Sequence, residues 1–296
     1  MRDRKNVIKA GYLLSYDYAY IFTSLKLIYE HVDSIVISYD ADGKTWAGND
    51  IYIPESFFSE IKDMDQDHKI TFYKDQFYVP GMQPFELDTR QRNMMAEKMG
   101  PGGWHIQIDS DEYPYDFKIL TDFLRENLFL IRNPKISLVN FLVHLVVLFK
   151  QDSNGFFVIE PYNEACVLVT NNPVYDKPRR PKTGKDILLD YYMIHQSWAR
   201  TAVEIKQKIE NWGHRDDFDV DAFYKKWLDL EENTIHNYID FHPLAGSSWE
   251  KLGYFKSDSI QDFITSFETS HPQKKITLKM SKTKRIKIFL KSLFRS

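Results

Sequence analysis

Hydrophobic and polar positions follow two different periods in the first forty residues. Val7 to Leu14 is an apolar run of strand length, and Ile21, Phe22, Leu25, Ile28, Tyr29 and Val32 then recur at helical spacing. Ser34-Ile35-Val36-Ile37-Ser38-Tyr39 returns to β-branched residues and ends in Asp40-Ala41-Asp42-Gly43, a turn sequence. A strand–helix–strand crossover of this length joins parallel strands. Such sheets bind ligands beyond the carboxyl ends of their strands, which is where Asp40 falls.

A second unit repeats the logic. Asp88-Thr89-Arg90-Gln91 has the pattern of a capped helix start, Met94, Met95 and Met99 continue the helix as packing residues, and Gly100-Pro101-Gly102-Gly103 stops it. Trp104, Ile106 and Ile108 then alternate with His105 and Gln107, which reads as a strand ending at Asp109. Both acidic clusters therefore belong to one edge of the sheet. Beyond Phe117 the pattern gives a helix to about Asn127 and strand-like runs at Ile136–Phe149, Gly155–Ile159 and Ala165–Thr170. Pro178-Arg179-Arg180-Pro181-Lys182-Thr183-Gly184-Lys185 reads as a mobile basic loop. Ile187 to Ser197 reads as a strand leading into a helix with Val203, Ile205 and Ile209. The expectation is an α/β fold: a mixed, mainly parallel central sheet flanked by helices. A main domain would span residues 1–215 and a helical C-terminal extension residues 216–296.

The length of 296 residues suits that organisation. Aromatic residues are abundant, serving as core filler or as platforms for flat ligands. The single Cys166 excludes an internal disulfide framework and fits a reducing compartment. No basic-then-apolar leader opens the sequence, and the apolar stretch Leu138 to Phe149 falls short of the ~20 residues that span a bilayer. A cytoplasmic location is the expectation. Nine Lys or Arg and no Asp or Glu lie between Pro272 and Ser296, so the body is acidic although the net charge is only −3. An acidic body argues against a nucleic-acid surface. In the basic tail, Ile286, Phe289, Leu290, Leu293 and Phe294 form an apolar helical stripe, with Lys284, Lys287, Lys291 and Arg295 largely off it. That is the pattern of a helix lying on an anionic membrane surface, or one docked on its own domain or a twin subunit.

The chemistry concentrates at Asp109-Ser110-Asp111-Glu112. Residues two apart on an extended chain point the same way, so two carboxylates converge there and repel unless a cation separates them. Hard oxygen donors favour Mg²⁺ or Mn²⁺, which also bind phosphates and act as Lewis acids. Arg200, in His195-Gln196-Ser197-Trp198-Ala199-Arg200, has the fork geometry for a diphosphate.

Arg92-Asn93-Met94-Met95-Ala96-Glu97, followed by the strand ending in Asp109-Ser110-Asp111-Glu112, resembles the family 2 type of glycosyltransferase over roughly residues 7 to 215. The resemblance implies the GT-A fold, a divalent metal and a nucleoside diphosphate sugar donor, a UDP-sugar first among them. It places Asp40 on the nucleobase or ribose, Ser15 on the first nucleotide-binding loop and Arg92 in the nucleotide cradle. Asp111 and His195 become metal ligands, with Asp109 on metal or ribose; imidazole favours Mn²⁺. The turn Leu14-Ser15-Tyr16-Asp17 departs from the family's usual Pro-Thr-Tyr-Asn type. The acceptor would be a hydroxyl on a glycan or lipid-linked glycan, as in cell-surface polysaccharide or lipopolysaccharide synthesis.

An inverting transferase needs a carboxylate base; Glu112, Glu160, Glu164 and Asp190 all qualify by position, and a retaining one needs none. A sugar nucleotidyltransferase would carry a Gly-rich basic loop after the first strand, which Leu13–Asp17 lacks. A sugar- or nucleotide-binding protein without turnover, peripheral to the membrane, is the non-enzymatic alternative.

Overall fold

The computed structural model describes residues 7–132, 137–211, 218–244, 248–278 and 282–294. Its first half is a parallel α/β unit: β1 (Ile8–Leu13), α1 (Ile21–Ile28), β2 (Ser34–Asp40), α2 (Glu55–Met64), β3 (Ile70–Asp75), α3 (Pro84–Met99) and β4 (Trp104–Asp109). Then come β5 (Glu112–Tyr113), α4 (Phe117–Glu126), β6 (Val139–Gln151), β7 (Gly155–Glu160) and β8 (Ala165–Thr170). The hairpin strands β9 (Tyr175–Lys177) and β10 (Arg180–Pro181) precede β11 (Lys185–His195) and α5 (Ala202–Asn211). The chain closes with α6 (Val220–Leu228), β12 (Lys251–Lys256), α7 (Ile260–Ser270) and α8 (Lys282–Phe294).

One mixed sheet runs β12-β7-β6-β8-β4-β1-β2-β3. β3, β2, β1 and β4 are mutually parallel; β8, β7 and β12 add antiparallel, and β11 joins β6 in parallel. The expected mainly parallel centre flanked by helices is present.

The period-2 alternation decides what faces each side. Ile8, Ala10 and Tyr12 of β1, Ile35 and Ile37 of β2, and Trp104, Ile106 and Ile108 of β4 enter the main core with Leu25, Ile28, Leu120 and Phe123. The intervening residues meet α3. Gly11 is one of them, and a Cβ there would stand 2.8 Å from the Met95 sulfur, so a side chain would push α3 off the sheet. Met95 and Met99 pack with Leu13 and Val36, as expected of packing methionines. Gln107 donates to the Arg92 carbonyl (3.0 Å), which pins the middle of α3 over β4.

Helix α3 begins earlier than its expected start at Asp88. Pro84 occupies its first turn, and Gln83 and Glu86 form a reciprocal capping box that outcompetes the later start. The segment beyond residue 215 is not wholly helical either. β12 pairs antiparallel with β7 and covers an edge that would otherwise present unpaired peptide groups. Phe223 and Trp227 of α6 enter the main core, so this segment shares the core of the first. Gly213-His214, which follow the His195–Arg200 segment in the sequence as part of the same signature, lie outside the described residues. No helix among the described residues is long and apolar enough to cross a membrane.

Candidate functional site

The register of the sheet assembles the site. Leu13 pairs with Asp109, so the loop after β1 and the acidic turn after β4 emerge side by side. β5 then pairs antiparallel with the end of β11, matching Glu112 to His195, and Gln196 N–H donates to the Asp111 carbonyl (2.9 Å). Residues far apart in sequence thus converge on one cavity of about 320 Å³. Ser15, Asp17, Arg92, Asp109, Asp111 and His195 line it, with Lys208 from α5, Trp46, Glu164, His242 and Trp249.

The carboxylates are paired with cations. Asp109 accepts from Arg92 Nη2 (3.0 Å) and from Arg179 Nη1 (3.4 Å). Arg92 also holds Asp88 through Nε (2.7 Å). Asp111 receives a close Nη2 contact from Arg200, which also reaches Asp17 (3.1 Å) and lies over the Tyr20 ring at 4.7 Å. Burial alone would raise the Asp111 pKa, but His195 and Arg200 hold it well below the carboxylate range. Burial likewise opposes ionisation of Asp109, and Arg92 and Arg179 prevail, keeping its pKa low. At Asp17 burial wins over Arg200, and the pKa is raised. Burial, with Arg200 beside it, brings Lys208 down to about 8; its ammonium donates to the Ser197 carbonyl (2.9 Å) and hydroxyl (3.1 Å).

Guanidinium groups therefore relieve the repulsion expected between Asp109 and Asp111. Among the described residues no group of three or more His, Cys, Asp and Glu side chains is placed to hold a metal. Asp109 is committed to arginines, so the expected three-ligand set does not form. Asp111 Oδ2 and His195 Nε2 stand 3.6 Å apart, a separation that two donors sharing one ion at about 2.1 Å would have, but the same Oδ2 holds the Arg200 contact, so an ion bound there would replace that contact.

Several expected site residues take other roles. Asp40 lies outside the cavity, and its carboxylate accepts from the backbone N–H groups of Asp42, Lys44, Phe77 and Tyr78. With its oxygens so engaged it shapes the loop that carries Thr45 and Trp46 to the cavity. Glu112 is fully buried, accepts the Asp109 backbone N–H (2.9 Å) and pairs with Arg179 (2.8 Å), which removes it as a base. Glu160 pairs with Lys251 at 3.3 Å at the end of β7, away from the cavity. Asp190 is exposed and lines a separate crease with Tyr115, Tyr162 and Tyr192. Glu164 alone among the four base candidates lines the cavity, where the Trp249 indole N–H donates to it. Arg200 reaches the site as an anchor for Asp111 and Asp17.

The basic loop is the largest surprise. It is not a mobile loop: β9 and β10 pair as a hairpin, and Arg179 at the turn adopts a left-handed φ of 55°. Its side chain reaches back to Glu112, Asp109 and the Gln107 carbonyl (3.1 Å). Sequence reasoning also missed Asp17, Asp88 and Lys208. Asp88 and Arg92 are spaced i,i+4, the one local signal for that pair.

No family model matches the chain, and no curated protein matches it. Among solved structures, mannose-6-phosphate isomerase from Helicobacter pylori aligns with a TM-score of 0.29 and 14% identity, covering 53% of this chain and 57% of that one. The alignment thus spans little more than half of either chain. At that TM-score the likeness carries no argument about function.

Proposed function

We propose that this protein is a glycosyltransferase that moves a sugar from a nucleoside diphosphate donor to a hydroxyl acceptor. The observation that carries the reading is the cavity at the carboxyl ends of β1 and β4. It brings Arg92 and Lys208 together with the Asp111–His195 pair, and with Trp46, Trp249 and Glu164. The GT-A form of the mixed sheet belongs to the same proposal.

Among the described residues, Arg92 and Lys208 are the Arg and Lys side chains that line the cavity and would meet a diphosphate. Arg92 is locked by Asp88 and Asp109, so its position is fixed before substrate arrives, as electrostatic stabilisation of a leaving group requires. Lys208 carries a compact charge at the end of the same cluster. A divalent ion held by Asp111 and His195 would add neutralisation of the departing diphosphate. Trp46, half-buried at the cavity, is an aromatic side chain available to a sugar ring. Glu164 lines the cavity without a Lys or Arg ion pair among the described residues, unlike Asp17, Asp88, Asp109 and Asp111. It can therefore accept a proton from an acceptor hydroxyl, the role required for inversion. Sugar-binding without turnover is the second reading, favoured by the arginines that already neutralise the acidic turn.

A thermal-shift screen of nucleoside diphosphate sugars, with and without Mn²⁺, tests the proposal. Stabilisation by one donor that grows with Mn²⁺, and loses its Mn²⁺ dependence in Asp111→Asn, is the expected result. Binding of free glycans with no response to any nucleotide would overturn the transferase reading.

A further inference from the structure

The basic tail presents an apolar face outwards. α8 packs on the single turn Leu128–Leu130. Among its described side chains Ile288 is the buried one, at 8% exposure, and the Arg132 guanidinium lies 5.1 Å from the Phe289 ring centroid. With ~3.6 residues per turn, Ile286 and Leu290 fall opposite Ile288, and Phe289 completes an arc of roughly 100° on the side where its ring meets Arg132. Ile286, Phe289 and Leu290 are 58%, 39% and 46% exposed. Lys287 and Lys291, also exposed, lie on one side of that arc, between Leu290 and Ile288. A surface helix ordinarily turns charge to the solvent. Here three large apolar side chains occupy the outer face, in a segment from Pro272 to Ser296 with nine Lys or Arg and no acid.

We propose that α8 docks the protein on an anionic lipid surface. Ile286, Phe289 and Leu290 enter the headgroup–acyl boundary, and Lys287 and Lys291 meet the lipid phosphates. Charge decides the occupant. A second copy paired through this face would set Lys287 and Lys291 against cationic residues of the same segment, whereas an anionic bilayer attracts both the lysines and the rest of the tail. This inference is independent of the proposed glycosyl transfer and holds whatever the cavity binds.

The full chain should co-sediment with vesicles of phosphatidylcholine and phosphatidylglycerol, and only weakly with phosphatidylcholine alone. Raised salt should release it. Phe289→Glu/Leu290→Glu should weaken binding by about tenfold or more, and Lys287→Glu/Lys291→Glu should do so while flattening the salt dependence. Melting temperatures of both variants, and of the milder Phe289→Ala/Leu290→Ala, separate lost docking from lost folding. Equal binding to both vesicle types, or none to either, would overturn the proposal. So would a concentration-dependent dimer of the native chain that the apolar-face variants dissolve, because a second copy would then cover the face.

Discussion

Glu164 differs from the other carboxylates of the cavity in its partner. Asp17, Asp88, Asp109 and Asp111 each hold a guanidinium, whereas Glu164 accepts from the neutral indole of Trp249. At Asp109 and Asp111 the cationic partners outweigh burial and keep the carboxylate ionised, a poor proton acceptor, and Asp17 and Asp88 are held in ion pairs that point them at guanidinium groups. Glu164→Gln keeps the shape and the indole hydrogen bond but removes basicity. Turnover in Glu164→Gln should fall by about 10²–10⁴-fold, with donor affinity in the thermal-shift assay unchanged. Retained turnover would remove Glu164 from the mechanism and favour a retaining reaction. At this scale the sequence was partly legible. Asp109, Asp111, His195, Arg92 and Ser15 do meet at one cavity. Asp40 lies apart from them: a carboxylate at a strand end serves equally well to cap its own loop, and only the positions of the Phe77 and Tyr78 N–H groups reveal that it does so.

At the scale of elements, alternation within β4 puts Asp109 on the face of α3, where Arg92 waits, and puts Ile108 in the main core. The β9–β10 hairpin closes the same cluster from a distance of about seventy residues in sequence. Arg179→Ala would leave the fully buried Glu112 without its guanidinium, a loss of about 3–5 kcal/mol. The expected signs are a lower melting temperature and faster hydrogen exchange at Lys177 and Arg180 than in Arg179→Lys. Unchanged exchange there would show that the hairpin is held by its own pairing. Nothing in the local pattern marked Arg179, since a basic run between prolines has the composition of a solvated loop. The ion pairs that order it come from β4 and β5.

For the molecule as a whole, His105 links folding to pH. It is buried on β4, and burial, with the Lys9 ammonium nearby, lowers its pKa to about 4 from 6.5. The unfolded chain therefore binds a proton that the folded chain refuses between those values. The sign follows: the contribution is fully present above about pH 6.5 and is lost as pH falls towards 4, by about 3 kcal/mol in total. Melting curves across that range should flatten in His105→Gln relative to the native chain. An identical pH slope in both would show that other groups carry the dependence.

The sequence by itself determined the parallel βαβ start, the strand Trp104–Asp109 and the edge on which the acidic turn lies. These follow from periodicity and turn chemistry, which act between neighbours in the chain. Tertiary structure decided the electrostatic state of that turn. Whether Asp109 and Asp111 repel, bind a cation or pair with arginine depends on Arg92, Arg179 and Arg200, which arrive from three separate elements. Coulombic partners are chosen by distance in space, and buried charges persist only where such partners stand within a few ångströms.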